Sequence, residues 1–410
     1  MTIDVRALDP ADWDAWYGVL EWAFGGLPES TEERALWRGL TEPERSLAAW
    51  DGERIVGSYG LFTFELAVPG GAVVPTGGVT MVSVAATHRR RGLLRRMMAR
   101  GLEDVRAAGE PLAVLTASEA GIYGRFGFGV ASRGMSARID ADRVAIARPP
   151  GADALRLRVV EPEAELARCE ELYHRLVPGR PGMLRRRPGW ERLALLDPKQ
   201  DREGASARQC VLAERADGEL VGYARYALKP EWAGQVPAGT VLVRDLDAAE
   251  PAAYAALLDF LRNIDLMSTV SLRARPLDDP LTHLVSDVRR CDLRVEDRLY
   301  LRPVEVGAAL AARAYATEVD VVFEVADAFC PWNEGRWRLS GGPKGAVCER
   351  TSDPADLALS VRELGAAYLG GASLAELARA GLVTELRQGA LDAASVAFSH
   401  PLAPWLPHGF

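Results

Sequence analysis

Residues 82–100 carry the pattern in this sequence with the clearest chemical meaning. They read VSVAATHRRRGLLRRMMAR, a strand-like run followed by three arginines, a glycine and an amphipathic helical pattern. The first amides of a helix lack partners within the helix, so a helix beginning here offers N–H donors and a positive dipole end to an anion. Arg89, Arg90 and Arg91 add positive charge, and Gly92 lets a bulky group approach the backbone. The segment therefore predicts a pyrophosphate site.

Three other roles compete for the arginine run: a solvated basic helix, a nucleic-acid-binding patch, and a membrane-surface helix with an apolar face of Leu93, Leu94, Met97 and Met98. The run Leu112–Thr116 reads as a second strand, so residues 79–116 form a strand–helix–strand crossover with parallel pairing. The net charge of -8 disfavours nucleic acid and anionic membranes, which attract an excess of Lys and Arg. These observations favour the anion site.

A second motif follows the crossover. Residues 117–129 read ASEAGIYGRFGFG. With RRRGLL and the aromatic last residue, this motif resembles the Eis (enhanced intracellular survival) family of GNAT (Gcn5-related) N-acetyltransferases. The acetyl-CoA loop of that superfamily follows Arg/Gln-x-x-Gly-x-Gly/Ala, which Arg89 and Gly92 match, whereas Leu94 replaces the usual small residue. The likeness is specific in residues 79–130 and at the last residue, and in architecture it spans the whole chain.

The resemblance implies an α/β (α+β) fold with two GNAT-like mixed-sheet domains, the second degenerate, and a sterol-carrier-protein-like C-terminal domain. We expect a catalytic domain at 1–150, a degenerate domain at 151–302, and a third domain at 303–410 whose tail inserts into the active site. A chain of 410 residues exceeds one hydrophobic core, and ARPPGAD (147–153) is a plausible linker. In the second domain DLDAAEPAAY replaces the arginine–glycine loop, so that copy should lack the cofactor site.

Local patterns predict further elements. Residues 11–24 form an amphipathic helical pattern, and Asp51–Gly52 is a turn between two strand-like runs, 46–50 and 55–66. Residues 211–228 repeat a strand–turn–strand, followed by a strand at 241–246 and a helix at 251–263. The third domain begins with a predicted helix at 304–314 and continues with strands at 319–325 and 337–339 and helices at 361–368 and 373–380.

The resemblance also implies which residues contact acetyl-CoA. These are the strand residues before the loop, the loop and first helical turn, and two residues of the second motif: Val82, Ser83, Val84, Arg90, Arg91, Gly92, Leu93, Leu94, Arg95, Ser118 and Glu119.

Two residues are assigned catalytic roles. Tyr123 is the candidate general acid, because a phenol with a pKa near ~10 is protonated at neutral pH and can supply a proton to a departing thiolate. No Glu or His in residues 1–150 stands out as the base. The resemblance implies the terminal carboxylate of Phe410, whose free pKa of ~3.3–3.7 burial beside an apolar ring would raise.

The expected function is acetyl-CoA-dependent acetylation of primary amines on small polycationic, aminoglycoside-like molecules. The alternatives are a protein-lysine or narrow small-amine acetyltransferase, and a non-catalytic module that binds an apolar ligand through the third domain. The acids of an amine pocket are not evident, since Gly409 precedes Phe410 and Gly25–Gly26 follow Phe24. Trp13, Phe24 and Trp37 could line that pocket, although core packing is the commoner role for each.

Composition limits the remaining classes. The acidic N-terminal sequence and the lack of a long apolar run predict a cytoplasmic protein without membrane insertion. The five cysteines are odd in number and scattered, which indicates reduced core residues. Neither histidines nor carboxylates cluster at metal-ligand spacing, so no metal is predicted. The resemblance implies a homo-oligomer, a hexamer.

Overall fold

The computed structural model describes residues 3–410. Its ten α-helices within that range are α1 Trp13–Ala23, α2 Thr31–Leu40, α3 Leu93–Ala107, α4 Leu166–Leu176, α5 Pro251–Arg262, α6 Leu281–Leu284, α7 Val306–Ala311, α8 Val361–Ala367, α9 Leu374–Arg379 and α10 Ala390–Phe398.

The strands of the same range are β1 Asp4–Ala7, β2 Leu47–Asp51, β3 Arg54–Ala67, β4 Val73–Val84, β5 Leu112–Leu115, β6 Gly129–Val130, β7 Arg133–Asp140, β8 Arg156–Val160, β9 Leu184–Arg185, β10 Gln209–Glu214, β11 Leu220–Lys229, β12 Trp232–Ala233, β13 Val236–Pro237, β14 Gly239–Ala248, β15 Met267–Pro276, β16 Arg294–Asp297, β17 Tyr300–Pro303, β18 Val319–Ala326, β19 Gly335–Gly342, β20 Gly345–Arg350, β21 Leu357–Ser360 and β22 Val383–Glu385.

The chain divides into two compact units. Of the described residues, the first contains 3–132, 180–185 and 298–410, and the second contains 133–179 and 186–297. Each unit therefore draws on separate parts of the chain.

The first unit contains a mixed eight-stranded sheet in the order β1-β2-β3-β4-β5-β17-β6, with β9 added to β3. Its parallel pair is β4 and β5, joined by α3, so the predicted crossover is confirmed. The hairpin of β2 and β3 turns at the predicted Asp51–Gly52. Strand β17, from late in the sequence, pairs antiparallel with both β5 and β6. The sheet is thus completed by residues that local sequence patterns do not connect to it.

Helix α3 packs closely on this sheet. Its buried residues Leu93, Met97, Met98, Leu102 and Val105 recur every three or four positions and form one apolar face. Gly101 allows the close approach, because a Cβ there would overlap the Tyr59 hydroxyl on β3. This packing fixes where the helix begins relative to the end of β4.

The first unit also contains a five-stranded sheet, β20-β19-β18-β21-β22. The helix predicted at 304–314 is shorter than expected, because α7 ends at Ala311. The chain leaves the helix there, and the buried Arg313 guanidinium donates to the Phe398 carbonyl at 3.1 Å. The same guanidinium lies 4.8 Å from the Phe398 ring centroid. Arg313 thereby joins the end of α7 to the start of the C-terminal tail.

The second unit contains a seven-stranded sheet, β16-β7-β15-β14-β11-β10-β8. Its parallel pair, β14 and β15, is joined by α5, which repeats the strand–helix–strand order of the first unit and confirms the predicted internal echo. All five cysteines are buried and free of disulfides, as predicted: Cys169, Cys210, Cys291, Cys330 and Cys348. Within residues 3–410 no helix combines the length and apolar character needed to cross a membrane.

Candidate active site

The first sheet opens into a cleft between β4 and β5. Their parallel pairing covers only 76–78 on β4 and 112–114 on β5. The residues from Val79 to Val84 continue β4 and line the cleft without a β5 partner. Two separating parallel strands leave backbone N–H and C=O groups available to a ligand. An amide-containing chain such as pantetheine can bind along such an edge.

A β-bulge redirects β4 at this point. Ser58 pairs with Ser83 and Gly60 with Thr80, so β4 has one extra residue opposite Tyr59. Met81 has a positive φ of 49°. The Ser58 hydroxyl donates to the Met81 carbonyl at 2.8 Å and lies 2.7 Å from the Ser83 hydroxyl. These hydrogen bonds stabilise the bulge in the conformation in which Val82–Val84 line the cleft.

Helix α3 begins beside the cleft with an uncapped N-terminus. Gly92 occupies the N-cap position in the left-handed region with φ 76°, and no side chain caps the helix. Arg90 also has a positive φ of 62°. Apart from its two chain neighbours, no residue has a heavy atom within 4 Å of where a Gly92 Cβ would stand, so the space before the first helical amides is open. Open amides flanked by arginines fit a diphosphate.

One cavity of about 1120 Å³ joins this loop to the rest of the cleft. It brings together most of the residues predicted to contact cofactor or to act in catalysis: Val82, Ser83, Val84, Arg90, Gly92, Leu93, Leu94, Arg95, Ser118, Glu119, Tyr123 and Phe410. Arg91 is the predicted residue that does not line it. Tyr123 and Phe410, which are far apart in sequence, thus line the same cavity.

Tyr123 lies on a short 3₁₀ turn, Tyr123–Phe126, that ends at Gly127. Burial raises the pKa of its phenol, and the nearby Glu119 carboxylate raises that pKa further. Gly127 has φ 82°, and a Cβ there would collide with the Arg302 guanidinium. Arg302 donates to the Phe126 carbonyl, so a buried arginine fixes the far end of the Tyr123 turn.

Phe410 reaches the same cavity from the C-terminal tail. Its ring packs edge-on against Phe64 with centroids 4.9 Å apart. The Thr116 hydroxyl donates to the Phe410 main-chain oxygen at 3.4 Å. Gly78 makes room for this arrangement, because a Cβ there would lie 2.5 Å from the Phe64 ring and 3.3 Å from the Phe410 ring.

Three carboxylates also line the cavity: Glu21 on α1, Glu29 on the loop before α2, and Glu33 on α2. The Tyr17 hydroxyl donates to Glu29. Burial raises the pKa of the Glu29 carboxyl, although the hydrogen bond from Tyr17 opposes that rise. A concave wall of carboxylates and aromatic rings is suited to a cationic group.

Helix capping explains why these acids converge. The Ser30 hydroxyl accepts from the Glu33 amide at 3.0 Å and starts α2 immediately after Glu29. Phe24 and Trp37 also line the cavity, whereas Trp13 is buried in the core away from it. Sequence patterns do not single out these acids, because Glu29 and Glu33 lie a few residues beyond the glycine pair that follows Phe24. The Ser30-x-x-Glu33 capping pattern was the available signal for their position.

Family models match three parts of the chain. Two describe acetyltransferase (GNAT) domains, at residues 4–131 and 182–303, and one describes a sterol carrier protein domain at residues 306–407. The chain is 60% identical over its full length to an uncharacterized N-acetyltransferase of Streptomyces avermitilis, which it also covers fully. It is 33% identical over 403 residues to the N-acetyltransferase Eis of Mycobacterium tuberculosis, covering 93% of this chain and 92% of that protein.

A solved structure agrees with these relatives. The crystal structure of Eis1 from Mycobacterium abscessus superposes over all of both chains with a TM-score of 0.85 and 35% identity. The chain is an N-acetyltransferase of the Eis family. GNAT acetyltransferases use acetyl-CoA. In this Eis-family enzyme the open edge of β4 fits the pantetheine arm of acetyl-CoA. The uncapped start of α3 and the arginine loop fit its diphosphate.

The glycine of the loop allows a direct test of this fit. Changing Gly92 to Ala should weaken acetyl-CoA binding about tenfold, because a methyl group would enter the open space before the helix amides and a left-handed backbone disfavours alanine. Isothermal titration calorimetry measures the affinity.

Gly109 is a matched control at the other end of α3. Its φ is 74° and its Cβ position is equally open. Gly109→Ala should lose similar stability, about 1 kcal/mol, without losing affinity. Equal affinities in the two variants would rule out diphosphate binding at the start of α3.

Proposed function

We propose that this Eis-family enzyme transfers the acetyl group of acetyl-CoA to primary amines of small polycationic, aminoglycoside-like molecules. The observation that supports this is one cavity lined by Val82–Val84, Tyr123 and Phe410 and also by three carboxylates. Acetyl-CoA supplies the acetyl group as a thioester. The chain's own residues must bind the amine, remove its extra proton and protonate the departing sulfur.

The proposed acid is Tyr123. Its Oη atom holds the proton that the sulfur takes up as the carbon–sulfur bond breaks. Because burial and Glu119 raise the phenol pKa, Tyr123 remains protonated throughout the neutral range. The edge-on contact with Phe128, at 6.3 Å between ring centroids, restricts the ring.

The proposed base is the terminal carboxylate of Phe410. An ammonium group bound in the cavity must lose a proton before its nitrogen can attack a carbonyl carbon. A carboxylate beside the Phe64 ring, on a residue that lines the same cavity, can accept that proton directly or through a water molecule.

The base can be tested by adding one glycine after Phe410, which converts the carboxylate into an amide. We expect kcat to fall about a hundredfold, the lower end of the range for general base catalysis, with acetyl-CoA affinity unchanged. Steady-state thiol release measures kcat. Phe410→Leu is the control, since it keeps the carboxylate and should lose only a few-fold. An extended chain with full activity would mean that another group is the base.

The amine site is proposed to consist of Glu21, Glu29 and Glu33. Glu29→Gln should raise KM for a cationic amine about tenfold with little change in kcat, because one attractive charge is removed from a partly buried site. In the unmodified chain this KM should rise as the pH falls through the Glu29 pKa, which lies above the usual glutamate value, because the protonated carboxyl has no charge.

Glu32 provides the control for this change, since it lies three residues later in the first turn of α2 but is exposed and outside the cavity. Glu32→Gln alters net charge equally and should leave KM unchanged. If both variants raise KM alike, the effect comes from long-range charge and Glu29 has no special role.

Exposed apolar side chains favour a second candidate, a peptide lysine as acceptor. Phe24 is 61% exposed and Leu27 is 83% exposed, and both line the cavity. A lysine with apolar neighbours could contact them. Comparing kcat/KM for lysine peptides and for polyamines distinguishes the two acceptor classes.

We propose that acetyl-CoA binds only in the expected catalytic domain, 1–150, and that 151–302 is a degenerate copy followed by a sterol-carrier-like domain, 303–410. In the second unit, Arg275 of β15 donates to the Leu246 carbonyl of β14 at 2.7 Å. It also pairs with Asp279 at 2.7 Å. A buried side chain therefore occupies the main-chain acceptor of the strand that corresponds to β4.

A homohexamer is proposed from the family, and light scattering at six times the monomer mass would support it.

A further inference from the structure

A six-residue segment from the middle of the chain belongs to the first unit. Residues 180–185 lie there, although the residues on both sides of them in sequence lie in the second unit. The Gly182 amide donates to the Ala67 carbonyl at 2.8 Å, and the Ala67 amide donates to the Met183 carbonyl at 2.9 Å. Strand β9 then pairs with Glu65 and Leu66 at the end of β3. The segment is thus held by the stretch of β3 directly after Phe64.

The C-terminal tail contacts this segment through its main chain. The Trp405 amide donates to the Pro181 carbonyl at 2.8 Å. Trp405 is 8% exposed and Leu406 is fully buried, so the tail is anchored there rather than lying on the surface. Phe410, five residues further on, packs on Phe64.

Gly182 is the residue that permits the contact. Its φ is 92°, and a Cβ there would lie 3.0 Å from the Trp405 nitrogen and 3.1 Å from the Trp405 oxygen. Any side chain at this position would press on the tail backbone where the Pro181 hydrogen bond forms. The close approach therefore requires glycine for its shape as well as for its backbone angle.

We infer that residues 180–185 are a tail clamp, which positions the Phe410 carboxylate by holding Trp405. The clamp rests on the proposed role of that carboxylate as base. A free tail of a dozen residues could place its end anywhere within tens of ångströms, whereas five residues beyond a fixed Trp405 reach at most about 17 Å. The clamp and Phe410 both contact the last residues of β3. One strand therefore sets the position of the clamp and the position of Phe410. Gly182 is accordingly a positioning residue.

The test compares Gly182→Ala with Gly179→Ala in the full chain. Gly179 lies three residues earlier, has no positive φ, and has nothing within 4 Å of its Cβ position. Gly182→Asn is a second variant, because asparagine tolerates positive φ while still adding a Cβ. The measurements are the rate at which carboxypeptidase A releases the terminal phenylalanine, kcat with its pH profile, and acetyl-CoA affinity.

Both Gly182 variants should release phenylalanine at least tenfold faster than the unmodified chain, with kcat lowered about tenfold and acetyl-CoA affinity retained. Their kcat should also lose the acidic limb of its pH profile, which a loss of stability alone would not remove. Gly179→Ala should match the unmodified chain. If the Gly182 variants release phenylalanine no faster than Gly179→Ala, the clamp is wrong, even if extension beyond Phe410 abolishes activity. If they release it faster while the extended chain remains active, the clamp stands and the proposed base fails.

Discussion

Changing Tyr123 to Phe should lower kcat about a thousandfold and leave acetyl-CoA affinity unchanged. The substitution removes only the hydroxyl, and the ring still packs edge-on against Phe128. Without a proton donor the sulfur must depart as a thiolate or take a proton from water, and general acid catalysis is worth about 10²–10⁴ in rate. A fall in kcat and kcat/KM together, without a change in affinity, would indicate a contact that acts only in the transition state.

The pH profile supplies a second result for the same residue. Burial and the Glu119 carboxylate raise the pKa of Tyr123, so its protonated form persists to higher pH than in a free phenol. We therefore expect kcat of the unmodified chain to show no decline from deprotonation of Tyr123 below about pH 10.

Tyr59 is the matched control for Tyr123. It is fully buried beneath α3, and its hydroxyl has no hydrogen-bond partner among residues 3–410. Tyr59→Phe should leave kcat unchanged and should not destabilise the fold, since an unsatisfied buried hydroxyl is removed. Similar activities for Tyr123→Phe and Tyr59→Phe would contradict the assignment of Tyr123 as the acid.

The second large effect concerns the ion pair between Arg302 and Asp327. Their atoms are 2.5 Å apart, and the side chains are 0% and 1% exposed. Asp327 also accepts from the Cys330 amide at 3.0 Å and from the Asn333 side chain at 3.0 Å. Asp327→Ala should destabilise the first unit by about 3–5 kcal/mol, because it leaves a buried guanidinium without its counter-charge. Urea unfolding measures the change.

An exposed pair gives the comparison. Arg338 and Asp320 lie 2.6 Å apart with side chains about half exposed. Asp320→Ala should cost at most about 1 kcal/mol. Because Arg302 also holds the Phe126 carbonyl, Asp327→Ala should reduce kcat even at temperatures where the chain remains folded. Equal destabilisation by the two alanine substitutions would show that burial does not determine the strength of the Arg302 pair.

Sequence patterns predicted the elements whose structure depends on residues close together in the chain. The crossover of β4, α3 and β5 follows from strand and helix periodicities, and the loop before α3 follows from where the helix must begin. Gly92 and Tyr123 could be proposed from the sequence because a loop glycine before a helix and a short motif tie residue type to position, and both residues line the cavity. Arg91 does not line the cavity, since neighbours in a loop point in different directions and sequence does not indicate which arginine faces the cavity.

Long-range contacts account for what the residues alone did not indicate. Strand β17 completes the first sheet from nearly 170 residues beyond β6, and no periodicity records which sheet a short strand will join. The carboxylates Glu29 and Glu33 are candidates for the proposed amine site only because the fold brings both to one cavity. The place of Phe410 was suggested by family resemblance, and the contacts with Phe64 and Thr116 supply its physical basis. The domain limits, the identity of the base and the amine remain predictions.

The central claim is that the cleft of the first unit transfers acetyl groups to amines. The most direct measurement is release of the coenzyme A thiol by the full chain, with acetyl-CoA and a panel of polyamines, aminoglycosides and uncharged alcohols. We predict saturable release that depends on the amine, is highest with polycations and is nearly absent in Tyr123→Phe. A folded chain that binds acetyl-CoA but releases no thiol with any amine, or releases it equally in Tyr123→Phe, would contradict the account.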